Sequence, residues 1–230
     1  VLVYAIPAPV FGTNCYVLGT GVGQECVVVD PGIGVYEPLM DLLREQKLKP
    51  TAVLLTHGHL DHTYSVTPVC GGTIGAYIHS DDRYRLVDPL SEVGPQLLMG
   101  LEQQFGQCAT WTQPDDVREI GDGQTLELAG LSFDVRHAPG HTEGSVIFGL
   151  GAVPDQVADS GLAHTALSGD VLFAGSIGRT DLPGGSHPAM LESLRTVVLP
   201  LADETLVLPG HGGATTMANE RATNPYLQDL

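Results

Sequence analysis

Basic residues are scarce in this chain: 10 lysines and arginines stand against 27 aspartates and glutamates, a formal charge of −17. The scarcity argues against nucleic acid as a partner, because phosphate contacts need clustered cations. Long apolar runs are missing too. No stretch approaches the roughly 18 residues that a membrane-spanning helix requires, so no membrane partner is expected. Cysteine is limited to Cys15, Cys26, Cys70 and Cys108, with no C-x-x-C pair. Cys15 and Cys26 lie in apolar, strand-like sequence, where a thiol reads as buried and inert. The opening VLVYAIPAPVFGTNCYV has neither a basic n-region nor an Ala-x-Ala cleavage site. A signal peptide is therefore not expected, and a cytoplasmic location is. There is no G-x-S-x-G motif, no internal repeat and no low-complexity linker.

What the chain does have is a recurring short β pattern. VLVYAI, CYVLG, CVVVD, TAVLLT, GTIGAYI, QTLELAG, LSFDVRH, SVIFGL and ETLVLPG are rich in Val, Ile, Leu and Thr and bounded by turn-forming residues. Helical periodicity lies between some of them. Leu39, Leu42 and Leu43 share one face of YEPLMDLLREQKLK, with Pro38 tolerable only in the first turn. In SHPAMLESLRTVVLPL, Ser186 or His187 caps, Pro188 opens, and Met190, Leu191, Leu194 and Val198 make the buried face. In SEVGPQLLMGLEQQFG, Leu97, Leu98, Leu101 and Phe105 line up, predicting a helix that either shapes a pocket or serves simple packing, with Met99 as the residue to test. GAVPDQVADSGLAHTA has no periodicity and reads as a loop. Strands with interspersed helices and no break in composition predict one α/β domain.

The chemistry concentrates in TAVLLTHGHLDH, where a buried strand by composition ends in His57, His59, Asp61 and His62. Residues two apart on an extended backbone point to one side, so His57 and His59 face together. Asp61 and His62 can face the same cavity from a short helical turn. Imidazole and carboxylate suit borderline divalent metals. One ion with an open catalytic position takes about three protein ligands, so four candidates in six residues suggest two ions. Three other glycine-flanked turns carry similar donors: His141 in HAPGHTEGS, Asp170 in ALSGDVLFAG and His211 in LVLPGHGGA.

The series H-x-H-x-D-H, G-H-T, G-D, G-H resembles the metallo-β-lactamase-fold hydrolases, over nearly the whole chain from NCYVLG and VVVDPG to LVLPGHG. That resemblance implies an αββα sandwich of two mixed β-sheets flanked by helices. It implies that His57, His59 and His141 hold one divalent ion, that Asp61, His62 and His211 hold a second, and that Asp170 bridges both. Zinc is the first expectation for the metals, with iron or manganese also compatible. A bridging hydroxide would be the nucleophile, with Asp61 and Asp170 orienting it. Asp30 in VVVDPG matches a position that supports the ligands by hydrogen bonding, and His137, four residues before His141, is a second supporting candidate. His79, His164 and His187 are expected in surface or packing roles.

Within the family, flavodiiron oxidoreductases carry a carboxylate where this chain has His59. Nucleases of the fold usually add a second domain and basic surface. GDVLFAGSIGRTDLPGGS and ERATNPYL resemble the compact glyoxalase II-like proteins, the hydroxyacylglutathione hydrolases. The implied reaction is thioester hydrolysis of the S-lactoylglutathione type. Full-length glyoxalase II holds the glutathione carboxylates with basic residues of a helical carboxy-terminal domain. Here 19 residues with the single cation Arg221 follow His211, so residues 1–230 are expected to form one domain without it. Another thiol carrier, or only part of glutathione, is then the expected substrate handle. The pocket that the Met99 helix would shape, near the cleft, is the acyl or thiol pocket. Persulfide dioxygenases, which use one iron held by two His and one Asp, share a segment like Gly175 to Asp181, although Ile177 stands where they tend to carry cysteine. A lactonase is the third enzyme reading. Arg179 has two roles open to it: an ion pair with Asp181, or a fork for a substrate carboxylate.

Overall fold

The computed structural model describes residues 1–92, 94–105, 111–228 and 230. The first sheet runs in chain order: β1 (Leu2–Pro7), β2 (Asn14–Gly19), β3 (Glu25–Val29), β4 (Lys49–Leu54), β5 (Gly75–His79) and β6 (Val117–Ile120). Its first three strands are antiparallel and β3 to β6 are parallel. The second sheet contains β7 (Thr125–Leu128), β8 (Leu131–His137), β9 (Val146–Leu150) and β10 (His164–Gly169). A small hairpin of β11 (Leu172–Phe173) and β12 (Ser176–Ile177) follows, before β13 (Thr205–Pro209) and β14 (Thr215–Thr216) complete the sheet in the order β14-β13-β10-β9-β8-β7. Only β10 and β13 pair in parallel there.

Both sheets are therefore mixed, and the core shows how they stack. Val27, Val29 and Leu54 from the first sheet meet Phe133, Val135, Phe148 and Leu208 from the second in one apolar layer. The alternate residues Cys26, Val28 and Val53 face outward against Leu39 and Leu43 of α1 (Tyr36–Glu45). The short α2 (Leu60–Thr63) follows β4, and α3 (Val66–Cys70) adds Val66 and Val69 to that outer layer. A strand buried on both faces has no polar side to show, which is why CVVV reads as continuous rather than alternating. On the other outer face, Ile147, Ala166 and Val207 pack against Met190, Leu194 and Met217. These come from α5 (His187–Ser193), its continuation Leu194–Val198 and α6 (Met217–Thr223). The result is the αββα sandwich.

The helices form for the reasons expected. Leu39 and Leu43 are one turn apart, and Ser186 Oγ accepts from Ala189 N at 3.4 Å to cap α5. The third expected helix is α4 (Pro95–Phe105). Of its stripe Leu101 is buried against Ile33 and Leu60, whereas the side chains of Leu97, Leu98 and Phe105 lie outside the described residues. Met99 is 67% exposed, so it packs into no pocket wall.

Among the described residues, five strands lie outside the expectation: the two-residue β11, β12 and β14, and the longer β10 and β6. The span read as a loop over 151–166 ends in β10, because His164 and Thr165 are already paired to Thr205 and Leu206 of β13. Polar residues there hid a central strand. The alternating VREI of β6 was likewise too charged to read, and edge pairing with β5 alone holds it. Cys15, Cys26 and Cys70 are buried; burial raises all three thiols, those of Cys26 and Cys70 to about 12, which keeps them protonated and unreactive. Cys108 lies outside the described residues.

Candidate metal centre

Parallel strands end on the same side, and the polar donors follow those ends. Asp30 follows β3, His57 to His62 follow β4, Asp170 follows β10 and His211 follows β13. His141 sits in the turn between β8 and β9 at the same edge, where Val146 N donates to Thr56 O at 2.8 Å. The two sheets are stitched together here. Asn14 N donates to Gly210 O at 2.7 Å, and Asn14 Nδ2 donates to Pro209 O and Gly212 O at 3.0 and 2.9 Å.

Outer hydrogen bonds decide which nitrogen of each ring faces inward. His62 Nδ1 donates to Asp30 Oδ2 at 2.9 Å, His141 Nδ1 to Arg179 O at 2.8 Å and His211 Nδ1 to Phe11 O at 3.2 Å. His57 Nδ1 lies 3.1 Å from Thr56 Oγ1, whose own hydroxyl donates to Asp30 Oδ2 at 2.6 Å. Four rings therefore turn Nε2 to the centre, while His59 turns Nδ1 to within 2.8 Å of His141 Nε2. Asp30 reaches two of the rings at once, one directly and one through Thr56.

Three groups have their donor atoms within 4.8 Å of one another: His57, His59 and His141; His57, His62 and Asp170; Asp61, His62 and His211. Asp170 lies between the others. Its Oδ1 is 3.3 Å from His62 Nε2, and its Oδ2 is 3.5 Å from both His141 Nε2 and His211 Nε2. Asp61 Oδ2 is 3.2 Å from His211 Nε2 and 3.6 Å from His62 Nε2. Ligand atoms at about 2.0–2.1 Å from one tetrahedral ion stand roughly 3.3 Å apart, so these spacings suit shared cations.

Two buried side-chain polar atoms among the described residues have no hydrogen-bond partner, His57 Nε2 and Asp170 Oδ1. His62 Nε2, near Asp170 Oδ1, makes no hydrogen bond with it. Leaving such atoms unpaired in a protein interior is costly. Both aim into the centre, and a cation there satisfies both.

The electrostatics agree. Burial, reinforced by the neighbouring imidazoles, drives His57 well below the usual histidine range and His59 down to about 3. Burial lowers His141 as well. Burial alone would also lower His62, but Asp170, Asp61 and Asp30 outweigh it and raise that ring; Asp61 and Asp170 do the same for His211. Burial would raise the carboxyls of Asp61 and Asp170, and the facing imidazoles, His62 first, hold both down. The lowered rings of His57, His59 and His141 and the ionised carboxylates are in the protonation states that ligate a metal, whereas the raised rings of His62 and His211 favour a proton that a cation must displace.

The sequence profile of the metallo-beta-lactamase superfamily matches residues 8–211, from the loop before β2 to the last histidine of the centre. The chain belongs to the metallo-beta-lactamase superfamily. Hydroxyacylglutathione hydrolase GloC of Haemophilus influenzae is 32% identical over 229 residues, covering 96% of each chain. Among solved structures, BLEG-1, a B3 metallo-beta-lactamase, is 36% identical with a TM-score of 0.79, over 99% of this chain and 100% of its own. TTHA1623, solved in a di-iron-bound form, is 34% identical with a TM-score of 0.74, over 97% and 100%. This metallo-beta-lactamase superfamily chain is accordingly a metal-dependent hydrolase by family, with histidine and aspartate clusters suited to divalent ions.

A cleft of about 510 Å³ opens over the centre, lined by His59, Asp61, His141, Asp170 and His211 and walled by Phe11, Leu60, Pro89, Leu182 and Pro183. Arg179 lines it too, but its guanidinium fork is already engaged by Asp181, at 2.7 and 2.8 Å. His137 lies off the centre: its Nε2 meets Glu143 O at 2.7 Å, and its ring stacks on His79 at 3.9 Å with a 10° tilt. His79, Asp81 and His137 form a fourth group of potential donors. Ring lone pairs lie in the ring planes, so two parallel stacked imidazoles cannot converge on one ion, and that group is no metal site in this arrangement.

Several residues at the centre carry no motif to find them by. Thr13 Oγ1 donates to Asp61 Oδ2 at 3.0 Å, and Phe11 supplies its carbonyl from a left-handed conformation with φ 61°. Gly210 leaves no room for a side chain. A Cβ there would overlap Asp170 Oδ1 and His62 Cε1. Gly210→Ala is therefore expected to push these donors apart and to weaken metal binding by at least about tenfold, with roughly 1–3 kcal/mol of overpacking strain. Chelator competition and thermal melting check it; wild-type values in both would show that the site has slack.

Proposed function

We propose that this chain is a dinuclear metal-dependent hydrolase of small thioesters of the hydroxyacylglutathione type. The observation that carries the reading is Asp170, set between the two histidine-rich groups with one carboxylate oxygen in ion-pair range of His62 but without a hydrogen-bond partner. In the proposal His57, His59 and His141 hold one ion, Asp61, His62 and His211 the other, and Asp170 both. The likeness to GloC supports the substrate class, and the ligand chemistry favours zinc first, with iron or manganese alternative. A cytoplasmic location, a small-molecule rather than nucleic-acid partner, and one domain over residues 1–230 belong to the same proposal.

When bound, the two ions would supply an activated water and a Lewis acid for the acyl carbonyl. The chain's own residues do the rest. Asp61, braced by the Thr13 hydroxyl, orients the attacking water. Phe11, Leu60, Leu182 and Pro183 offer apolar walls to the acyl chain and keep bulk water from it. No strong general acid is required, because a thiol of pKa about 8.5 leaves readily as thiolate. The Asp181 carboxylate, by occupying the Arg179 fork, leaves little to grip a substrate carboxylate. The handle recognised is then the less charged part of the thiol carrier.

The test is a panel of thioesters, a lactone, a β-lactam and glutathione persulfide on metal-reconstituted protein, with metal counted per chain. Fastest turnover of thioesters at two ions per chain is the expected result. The likeness to BLEG-1 favours β-lactam hydrolysis as a second reading, and dominant β-lactam turnover would replace the first. One iron per chain with oxygen consumption would instead establish the dioxygenase.

A further inference from the structure

Behind the two histidine loops lies a carboxylate that the proposed chemistry does not use. Asp82 sits in the tight helical turn Ser80–Leu86 after β5 and is fully buried. Its Oδ2 accepts from Gly58 N and from Thr142 Oγ1, both at 2.7 Å. Its Oδ1 accepts from Gly144 N at 2.8 Å and Arg85 Nε at 3.3 Å. Gly58 lies between His57 and His59, and Thr142 follows His141 directly. One carboxylate thus clasps the backbones of two loops that are distant in sequence but whose rings come within 2.8 Å of each other.

The contact is too close for side chains on either loop. A Cβ at Gly58 would stand 2.7 Å from Arg85 Cβ, and one at Gly144 2.7 Å from Asp82 Cγ. Arg85, itself buried, carries the junction outward: it donates to Glu143 Oε2 at 2.7 Å and to Pro183 O at 2.9 Å, and Pro183 lines the cleft. An isolated buried carboxylate would be costly. Here four donors satisfy it, and two of them are the backbone amides of the ligand loops.

We propose that Asp82 is a positioning residue that sets the spacing between the His57–His59 loop and the His141 loop, and so the metal affinity of that half of the centre. The proposal rests on the dinuclear reading. A carboxylate is required because an amide has one acceptor oxygen; its nitrogen would face either Gly58 N beside the Thr142 hydroxyl or Gly144 N and Arg85 Nε, and in both orientations it would meet at least one N–H that it cannot accept from.

Asp82→Asn and the milder Thr142→Val test it on the full chain, with zinc affinities from chelator competition, the cobalt(II) absorption spectrum and the melting temperature of metal-free protein. The expected result is that Asp82→Asn weakens one zinc equivalent about 10–100-fold, largely spares the other and alters the cobalt spectrum. Thr142→Val should move affinity the same way by less. A purely structural role would lower the melting temperature and leave both zinc affinities and the spectrum unchanged; that outcome overturns the proposal. If Asp82→Asn does not fold, unchanged zinc affinity in Thr142→Val overturns it equally. Wild-type protein that takes up no zinc, cobalt or iron would instead remove the metal reading on which this rests.

Discussion

Asp170→Ala is expected to empty both halves of the centre together and to lower thioester hydrolysis by roughly a thousandfold or more. The reason is electrostatic. Among the described residues, Asp170 is the one carboxylate within 3.5 Å of histidines from both proposed sites, His141 on one side and His62 and His211 on the other. Two cations placed side by side repel, and the anion between them is the principal local compensation. Removing it weakens whichever ion binds second most of all. Metal analysis of the dialysed variant beside steady-state kinetics checks the claim. Two ions retained per chain would show that Asp170 is no bridge.

Asp30→Ala should cost the most stability. The carboxylate is 2% exposed and receives three donors: Thr56 N at 2.8 Å, Thr56 Oγ1 at 2.6 Å and His62 Nδ1 at 2.9 Å. Each buried donor left unpaired costs about 1–3 kcal/mol, so losing the partner of three puts the cost on the order of 3–9 kcal/mol from a typical 5–15. Asp30 also adopts φ 50°, a left-handed conformation that alanine tolerates less well. A melting temperature lower by on the order of 10 °C follows. Metal affinity should fall about 10–100-fold as well, because His62 loses the partner that fixes its tautomer. Asp30→Asn, which keeps one acceptor and tolerates the backbone, should sit between the two. An Asp30→Ala protein that melts with the wild type and keeps its metal would end this account.

The fold was legible where a strand is apolar on both faces, as in CVVV or TLVL, because burial by a sheet on one side and helices on the other leaves no other reading. It was illegible at β10, whose His164, Thr165 and Ser168 are tolerated because backbone pairing to strands on both sides, not side-chain character, holds that strand. The proposed ligands stood out because four histidines and aspartates crowd into six positions after one apolar strand and three more sit in glycine-flanked turns. The residues that position them did not. Asp82 and Arg85 occupy SDDRYRL, which reads as an ordinary charged surface turn, yet both are buried. Only the packing of the Ser80–Leu86 turn against the β8–β9 turn, where Asp82 meets Thr142 and Gly144 and Arg85 meets Glu143, reveals that their charges point inward.

The stitching of β2 to the end of β13 also bears on how the molecule is assembled. His62 and His211 meet across 149 positions of chain, and His59 and His141 across 82. Contacts of that separation require loop closure that local structure cannot supply, so they are slow to form. A nascent chain that has finished its first sheet still lacks His141, Asp170 and His211. All seven donors can be gathered only once both sheets are face to face, which makes the complete centre a signature of finished topology.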